Sequence, residues 1–220
     1  MDFESDIFTT EAGKLTVTFI GHGTLMLDWG GRIIHVDPVT READYSRLPA
    51  ADIILITHDH FDHLDPEAVK QVRRSSTRII CNAKSARKLG EGEVLANRES
   101  LTIEGLAVAA VPAYNISRGR RLFHPPGRDN GYVLSSGNFR VYVAGDTENH
   151  PELMALRAVD VAFLPMNQPY TMTPEQVAAA ARALRPRFLY PYHFGGTDTQ
   201  RLVELLEDLP ETEVRIRSLA

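Results

Sequence analysis

Seven consecutive residues, Thr57-His58-Asp59-His60-Phe61-Asp62-His63, set three imidazoles and two carboxylates directly behind the apolar run Ile53-Ile54-Leu55-Ile56. Imidazole nitrogen and carboxylate oxygen are the ligands of zinc and related transition metals. Two histidines at i and i+2 in a tight loop, His58 and His60, can reach one ion. Asp62 and His63 follow closely enough to serve a second, on the order of 3.5–4 Å away in two-metal sites. Three further segments bring metal-capable groups to the ends of predicted strands: Ala113-Tyr114-Asn115, Gly145-Asp146-Thr147 and Tyr192-His193-Phe194. A carboxylate such as Asp146 can bridge both ions. Such a ligand set lowers the pKa of a bound water to about 7, which gives hydroxide at neutral pH. A solvated charged loop is the competing reading. One histidine would suit it, but three histidines and two aspartates at this spacing do not.

Around this nest stand the other candidates. His22 lies in the glycine-flanked turn Gly21-His22-Gly23, as a polar group facing the metals or as a solvated turn histidine. His22 and Asp62 are the candidate catalytic groups, since Asp62 can accept a proton if only one ion is bound. Asp37 ends a strand before Pro38 and suits the role of acceptor for a ligating histidine N–H, against a plain turn aspartate. The segment 115–128 reads as a loop over the site. Its Arg118 and Arg121, with His124, can hold a phosphate or carboxylate, against a solvated basic loop. Phe123, Tyr114 and Tyr170 line the pocket or pack in the core. Asp59 faces solvent or caps backbone, His35 is packed or half-exposed in its strand, His150 is exposed at a helix start, and Cys81 is buried in a strand.

The elements that must hold these groups follow from periodicity and turn residues. Leu15–Ile20 alternates with period two, and Thr24–Trp29 and Arg32–Val36 flank the hairpin turn Gly30-Gly31. Ile53–Ile56 reads as a strand buried on both faces. Pro66–Arg73, capped by Asp65, and Ala83–Leu89, closed by Gly90, read as helices around the strand Thr77–Cys81. Ser100–Val111 folds about Glu104-Gly105, and Tyr132–Leu134 and Phe139–Val143 flank Ser136-Gly137-Asn138. Val161–Leu164 and Phe188–Tyr190 are strands. Val177–Leu184, opened by the capping box Thr173-Pro174-Glu175-Gln176, and Thr199–Leu209 are helices. The pattern suggests a sheet sandwich covered by helices.

Composition narrows the function. The 220 residues suffice for one domain with a sizeable core. The net charge of -5 argues against a nucleic-acid protein. The single cysteine allows no internal disulfide, no apolar run approaches the roughly 18 residues of a membrane helix, and the acidic start Met1-Asp2-Phe3-Glu4-Ser5-Asp6 lacks the regions of a signal peptide. The expectation is a cytoplasmic protein, with a homo-oligomer left open.

His58-x-His60-x-Asp62-His63 resembles the signature of the metallo-β-lactamase fold superfamily. Gly145-Asp146-Thr147 is similar to its bridging-aspartate motif and Tyr192-His193-Phe194 to its terminal histidine, in matching order from about Leu15 to the C-terminal helix. Gly21-His22-Gly23-Thr24 and Val36-Asp37-Pro38 resemble early motifs of the branch that holds L-ascorbate-6-phosphate lactonases and N-acylphosphatidylethanolamine-hydrolysing phospholipase D enzymes. The resemblance implies an α/β fold, a four-layer αββα sandwich formed by residues 1–220 as one domain. His58 and His60 then bind the first ion, Asp62, His63 and His193 the second, and Asp146 bridges. One departure stands out: where the family has a histidine after Pro-Ala-x, this chain has Asn115. Three arrangements are open: Asn115 beside the metal, which ranks first; His124 as substitute; or a weak first site. The implied activity is metal-dependent hydrolysis of an ester, lactone or phosphodiester of a small molecule, with Zn2+ as one or two ions and Mn2+ or Fe2+ as alternatives. A nuclease, a non-catalytic or weakly active metal-binding protein, and a di-iron redox protein are the competing classes.

Overall fold

The structure, a computed structural model, describes residues 3–219; Met1 and Asp2 of the acidic start, and Ala220, lie outside the described residues. Two seven-stranded sheets carry the chain in sequence order. The first holds β1 (Ser5–Thr10), β2 (Gly13–Gly21), β3 (Thr24–Trp29), β4 (Arg32–Val36), β5 (Ile53–Ile56), β6 (Arg78–Cys81) and β7 (Glu93–Val94). The second holds β8 (Ser100–Ile103), β9 (Leu106–Ala113), β10 (Asp129–Ser136), β11 (Phe139–Val143), β12 (Val161–Pro165), β13 (Phe188–Tyr192) and β14 (Glu213–Val214). Helices α1 (Pro66–Val72) and α2 (Ala83–Leu89) belong to the first half, and α3 (Pro151–Met154), α4 (Pro174–Leu184) and α5 (Thr199–Leu205) to the second.

Side-chain alternation makes the layers. Leu15, Val17 and Phe19 of β2, and Ile53 and Leu55 of β5, meet Val108, Leu134, Val141 and Phe163 between the sheets. The other face of β5, Ile54 and Ile56, packs with Ala68, Val69 and Val72 of α1. On the second sheet, Ala162, Leu164 and Leu189 pack against Val177, Ala181 and Leu184 of α4 and Leu202 of α5. The result is helix, sheet, sheet, helix, and it explains why β5 reads as an unbroken apolar run: both of its faces are buried.

Strand direction decides where the chemistry goes. β2 and β3, and β3 and β4, are antiparallel, while β4, β5 and β6 are parallel. The carboxyl ends of β2, β4 and β5 therefore lie on one edge, and they lead into His22, Asp37 and His58. In the second sheet β9–β10–β11 are antiparallel neighbours and β11–β12–β13 are parallel. The ends of β9, β11 and β13, which lead to Asn115, Asp146 and His193, thus share an edge with the start of β10. Asn130 N–H donates to the Thr57 carbonyl at 3.0 Å, and the Tyr132 hydroxyl to the Ile56 carbonyl at 2.8 Å, so the two edges meet.

Some elements differ from the sequence reading. β1, β7 and β14 were not expected, and α5 stops at Leu205 rather than Leu209, where Arg182 donates to the Leu205 carbonyl at 2.8 Å. His150 is buried, not exposed: its ring stacks on Tyr114 at 4.0 Å and accepts the Leu153 N–H that opens α3.

Candidate metal centre

The strand ends are bent into unusual backbone to present their side chains. His22, Asp37 and His193 all have positive φ, at 48°, 46° and 47°. Non-glycine residues adopt this region at a cost, and such strain gathers at functional sites. Gly145, at φ 64°, has no alternative: a Cβ there would sit 2.7 Å from the Asn130 carbonyl oxygen and 3.1 Å from Thr57 Cβ. Its backbone passes this close so that Asp146 can reach across to the other sheet.

Two sets of ligand-type groups result. His58, His60, His124 and Asp146 form one; His22, Asp62, His63 and His193 form the other; within each, one ligand atom per residue lies within 4.8 Å of all the rest. Asp146 stands between them. Its Oδ2 is 3.4 Å from His124 Nε2, 3.9 Å from His58 Nε2 and 3.5 Å from His193 Nε2, and its Oδ1 is 3.4 Å from His63 Nε2. Asp62 Oδ2 lies 3.4 Å from His22 Nε2 and 3.5 Å from His193 Nε2. The His22 and His193 rings lie 3.8 Å apart between centroids, tilted by 40°.

Buried acceptors aim the rings. Asp37 is fully buried; it accepts the Thr57 N–H at 2.7 Å and the Thr57 hydroxyl at 2.5 Å, and lies 2.8 Å from His63 Nδ1. Thr57 Oγ1 lies 3.0 Å from His58 Nδ1. With its own hydrogen given to Asp37, that oxygen can only accept, so His58 carries its proton on Nδ1. One carboxylate thus orients two imidazoles. Asp129 does the same for His124, 3.1 Å from Nδ1, and is itself gripped by Arg128 at 2.7 Å. In each case the Nε2 atoms face inward. Those of His58, His63 and His193, and Oδ1 of Asp146, have no hydrogen-bond partner among the described residues. Buried polar atoms are normally satisfied, and convergent bare imidazole and carboxylate atoms are the donor set of zinc, manganese or iron. The residues fit a metal centre.

The electrostatics agree. Burial, then the neighbouring His63, pushes the His58 imidazole well below its ordinary pKa, so it offers a lone pair. Burial alone would raise the Asp146 and Asp62 carboxyls; the histidines around Asp146, and His193 and His22 beside Asp62, hold both below the usual range. Burial would lower His63, but Asp146 and the Asp37 hydrogen bond lift it to about 9. Loading an ion at His63 would therefore release a proton.

The structure places several of the expected residues otherwise than at the centre, although Asn115 Oδ1 is buried without a hydrogen-bond partner among the described residues. Asn115, ranked first to complete the His58/His60 set, has its amide nitrogen committed to the Arg120 and Tyr170 carbonyls at 3.1 and 2.7 Å. Its backbone N–H donates to the His124 carbonyl at 2.8 Å, so it props the loop from which His124 joins the set. Arg118 and Arg121 are exposed and do not line the cavity over the site. Arg120 turns inward to buried Glu148 at 2.9 Å, which also accepts the Ile116 and Ser117 N–H groups and so pins this loop. The cation that does line the cavity, of about 580 Å3, is Lys88. Asp59 lines it too, paired with Lys84 at 3.1 Å. Asp129, Glu148 and Lys88 carried no motif; Glu148 and Lys88 meet partners about thirty residues away, and Asp129 pairs with His124 only because the loop before it folds back.

Comparison with known proteins gives the family. The β-lactamase superfamily domain matches residues 16–193. The UPF0173 metal-dependent hydrolase of Thermococcus kodakarensis is 30% identical over 191 residues, covering 81% of this chain and 84% of that one. The solved structure of a protein described as a candidate metal-dependent hydrolase, from Parabacteroides distasonis, is 52% identical over 100% of both chains, with a TM-score of 0.97. The metallo hydrolase Igni18 of Ignicoccus hospitalis shares the fold at 24% identity, a TM-score of 0.77 and coverage of 94% and 96%. A four-layer αββα fold with two histidine–carboxylate sets at one sheet edge defines a metal-dependent hydrolase of the β-lactamase superfamily. The chain belongs to that superfamily and, within it, to the UPF0173 metal-dependent hydrolases.

Proposed function

We propose that this hydrolase cleaves an ester, lactone or phosphodiester of a small molecule at a centre of two ions. His58, His60 and His124 would hold the first, and Asp62, His63 and His193 the second, with Asp146 standing between the two sets. The observation that carries the reading is the placement of Asp146 within 3.4–3.9 Å of bare Nε2 atoms from both sets. Zinc is the proposed ion, with manganese or iron as alternatives suited to the same ligands. When bound, the ions supply Lewis acidity and a nucleophile at neutral pH.

The chain's own residues do the rest. Asp37 and Asp129 hold the imidazoles in one tautomer and direction. Asp62 Oδ2 lies 3.4 Å from His22 Nε2 and, where only one ion is held, is placed to accept a proton from water. His22 also packs its ring on His193 and keeps that ligand in place. Two of these linkages, the lactone and the phosphodiester, are those cleaved by the branch that the His22 and Asp37 motifs resemble. His124 removes the reason to regard the first set as disabled by Asn115, so catalysis is favoured over a purely metal-binding role. Among the described residues no helix is long and apolar enough to cross a membrane; with the single cysteine, we place the protein in the cytoplasm.

A panel of lactones, phosphodiesters and carboxylic esters tests this, with the protein loaded in turn with zinc, manganese and iron. Metal-dependent turnover of one linkage class, lost in Asp62→Ala, is expected. Absence of turnover on all three classes with every metal would remove the proposal.

A further inference from the structure

Exposed apolar side chains are concentrated at one place. Of the seven large ones exposed among the described residues, Phe61, Phe123 and Tyr170 line the cavity over the metal centre, and Ile116 and Leu122 stand on the loop that carries Phe123. Phe61 lies between ligand-type residues His60 and Asp62 and is 75% exposed; Leu122 is 85% exposed. The Phe123 and Tyr170 rings meet edge to face at 5.0 Å. Scattered apolar groups need no explanation, but a patch that walls a cavity does.

The same cavity holds one cation, Lys88 of α2. Its ammonium donates to the Asp59 carbonyl, a neutral partner, and it takes part in no ion pair among the described residues. The nearby carboxylate of Asp59 is taken by Lys84. Lys88 therefore keeps its charge and two of its three donors for a guest.

We propose that Lys88, Phe61, Phe123 and Tyr170 select a substrate with an apolar body that carries one anionic group besides the scissile bond. This rests on the hydrolytic reading above and names the substrate class of that site. The apolar rings cover the body and the ammonium pairs with the anion. The four side chains line the cavity that also contains His60, Asp62, His124, Asp146 and His193, so a guest held there lies over the metal-binding groups.

Two probes with the same rings test the pocket without turnover. 1-Anilinonaphthalene-8-sulfonate carries one sulfonate, and N-phenyl-1-naphthylamine carries none. By fluorescence titration of the metal-loaded protein, Lys88→Met should weaken the sulfonate about tenfold, as expected for a hydrogen bond to a charged group, and leave the neutral probe unchanged. Phe61→Ala with Phe123→Ala should weaken both probes about fivefold or more. Lys70→Met, on α1 and outside the cavity, should alter neither. In the hydrolytic arm, mono(4-nitrophenyl) suberate should exceed 4-nitrophenyl octanoate in kcat/KM, and Lys88→Met should cut that ratio about tenfold. If the probes behave as expected and neither ester is cleaved, ester hydrolysis fails while the pocket assignment stands. Probe binding that is absent, or indifferent to Lys88→Met, overturns the assignment. So does a dimer in sedimentation that the double phenylalanine substitution dissolves, since a second copy would then cover the rings.

Discussion

Asp37 is the residue on which most of the centre's geometry turns. Its one buried carboxylate takes Thr57 and His63, and through Thr57 it fixes His58. Asp37→Asn keeps the shape but offers Thr57 and His63 a weaker, half-donor partner. Metal affinity should fall about 10–100-fold, the usual loss when the hydrogen-bond partner of a ligand is removed. Competition with a chelator would measure it, and an unchanged affinity would show that the rings hold themselves. At this scale the sequence was legible where ligands were adjacent: the His58–His63 cluster, Asp146 and His193 all converge. It was less legible at Asn115 and His124, where His124, the second-ranked substitute, is the one that joins the set. The two are joined by a backbone hydrogen bond across a loop whose path depends on buried Glu148 gripping Arg120. No local spacing encodes that path, so position after the Pro-Ala-x motif was a poorer guide than the loop's own packing.

Elements deliver these residues because parallel and antiparallel order brings the ends of β2, β4, β5, β9, β11 and β13 to one side. The turn after β11 is the tightest of them. Gly145→Ala meets backbone on the neighbouring β10 and requires an unfavourable φ, which should cost about 3 kcal/mol. For a chain of this size that is a fall of roughly 6–12 °C in Tm, readable by calorimetry, together with weaker metal retention. An unchanged Tm would mean the turn relaxes freely. Strands with buried faces, such as β5 and β12, announce themselves by composition. β7 and β14 do not: each is two residues long and exists because a neighbouring strand offers hydrogen bonds. α5 likewise ends where Arg182 captures a carbonyl, a tertiary contact.

Across the whole molecule the first strand is tied to the C-terminal segment. Asp6 of β1 binds Arg217 at 2.8 Å and Arg215 at 3.1 Å, and the Tyr190 hydroxyl donates to it. Burial would raise this carboxyl, but Arg217 and Tyr190 hold it below its ordinary 3.8. Because the folded value is the lower one, the stability it contributes is full above about 3.8 and is lost as pH falls through the folded value. Asp6→Asn should therefore be less stable at neutral pH and should lose less stability between about pH 4 and 2 than the parent. Parallel loss in both proteins would show that other carboxylates govern acid unfolding.

Ion uptake by the chelated protein, followed by isothermal titration with zinc and with manganese, tests the two linked sets most directly. The wild type should bind two ions per chain, His124→Ala should lose one, and Asp146→Ala should weaken both while remaining folded. A folded wild-type chain that takes up no ion, or uptake indifferent to both substitutions, would contradict the account.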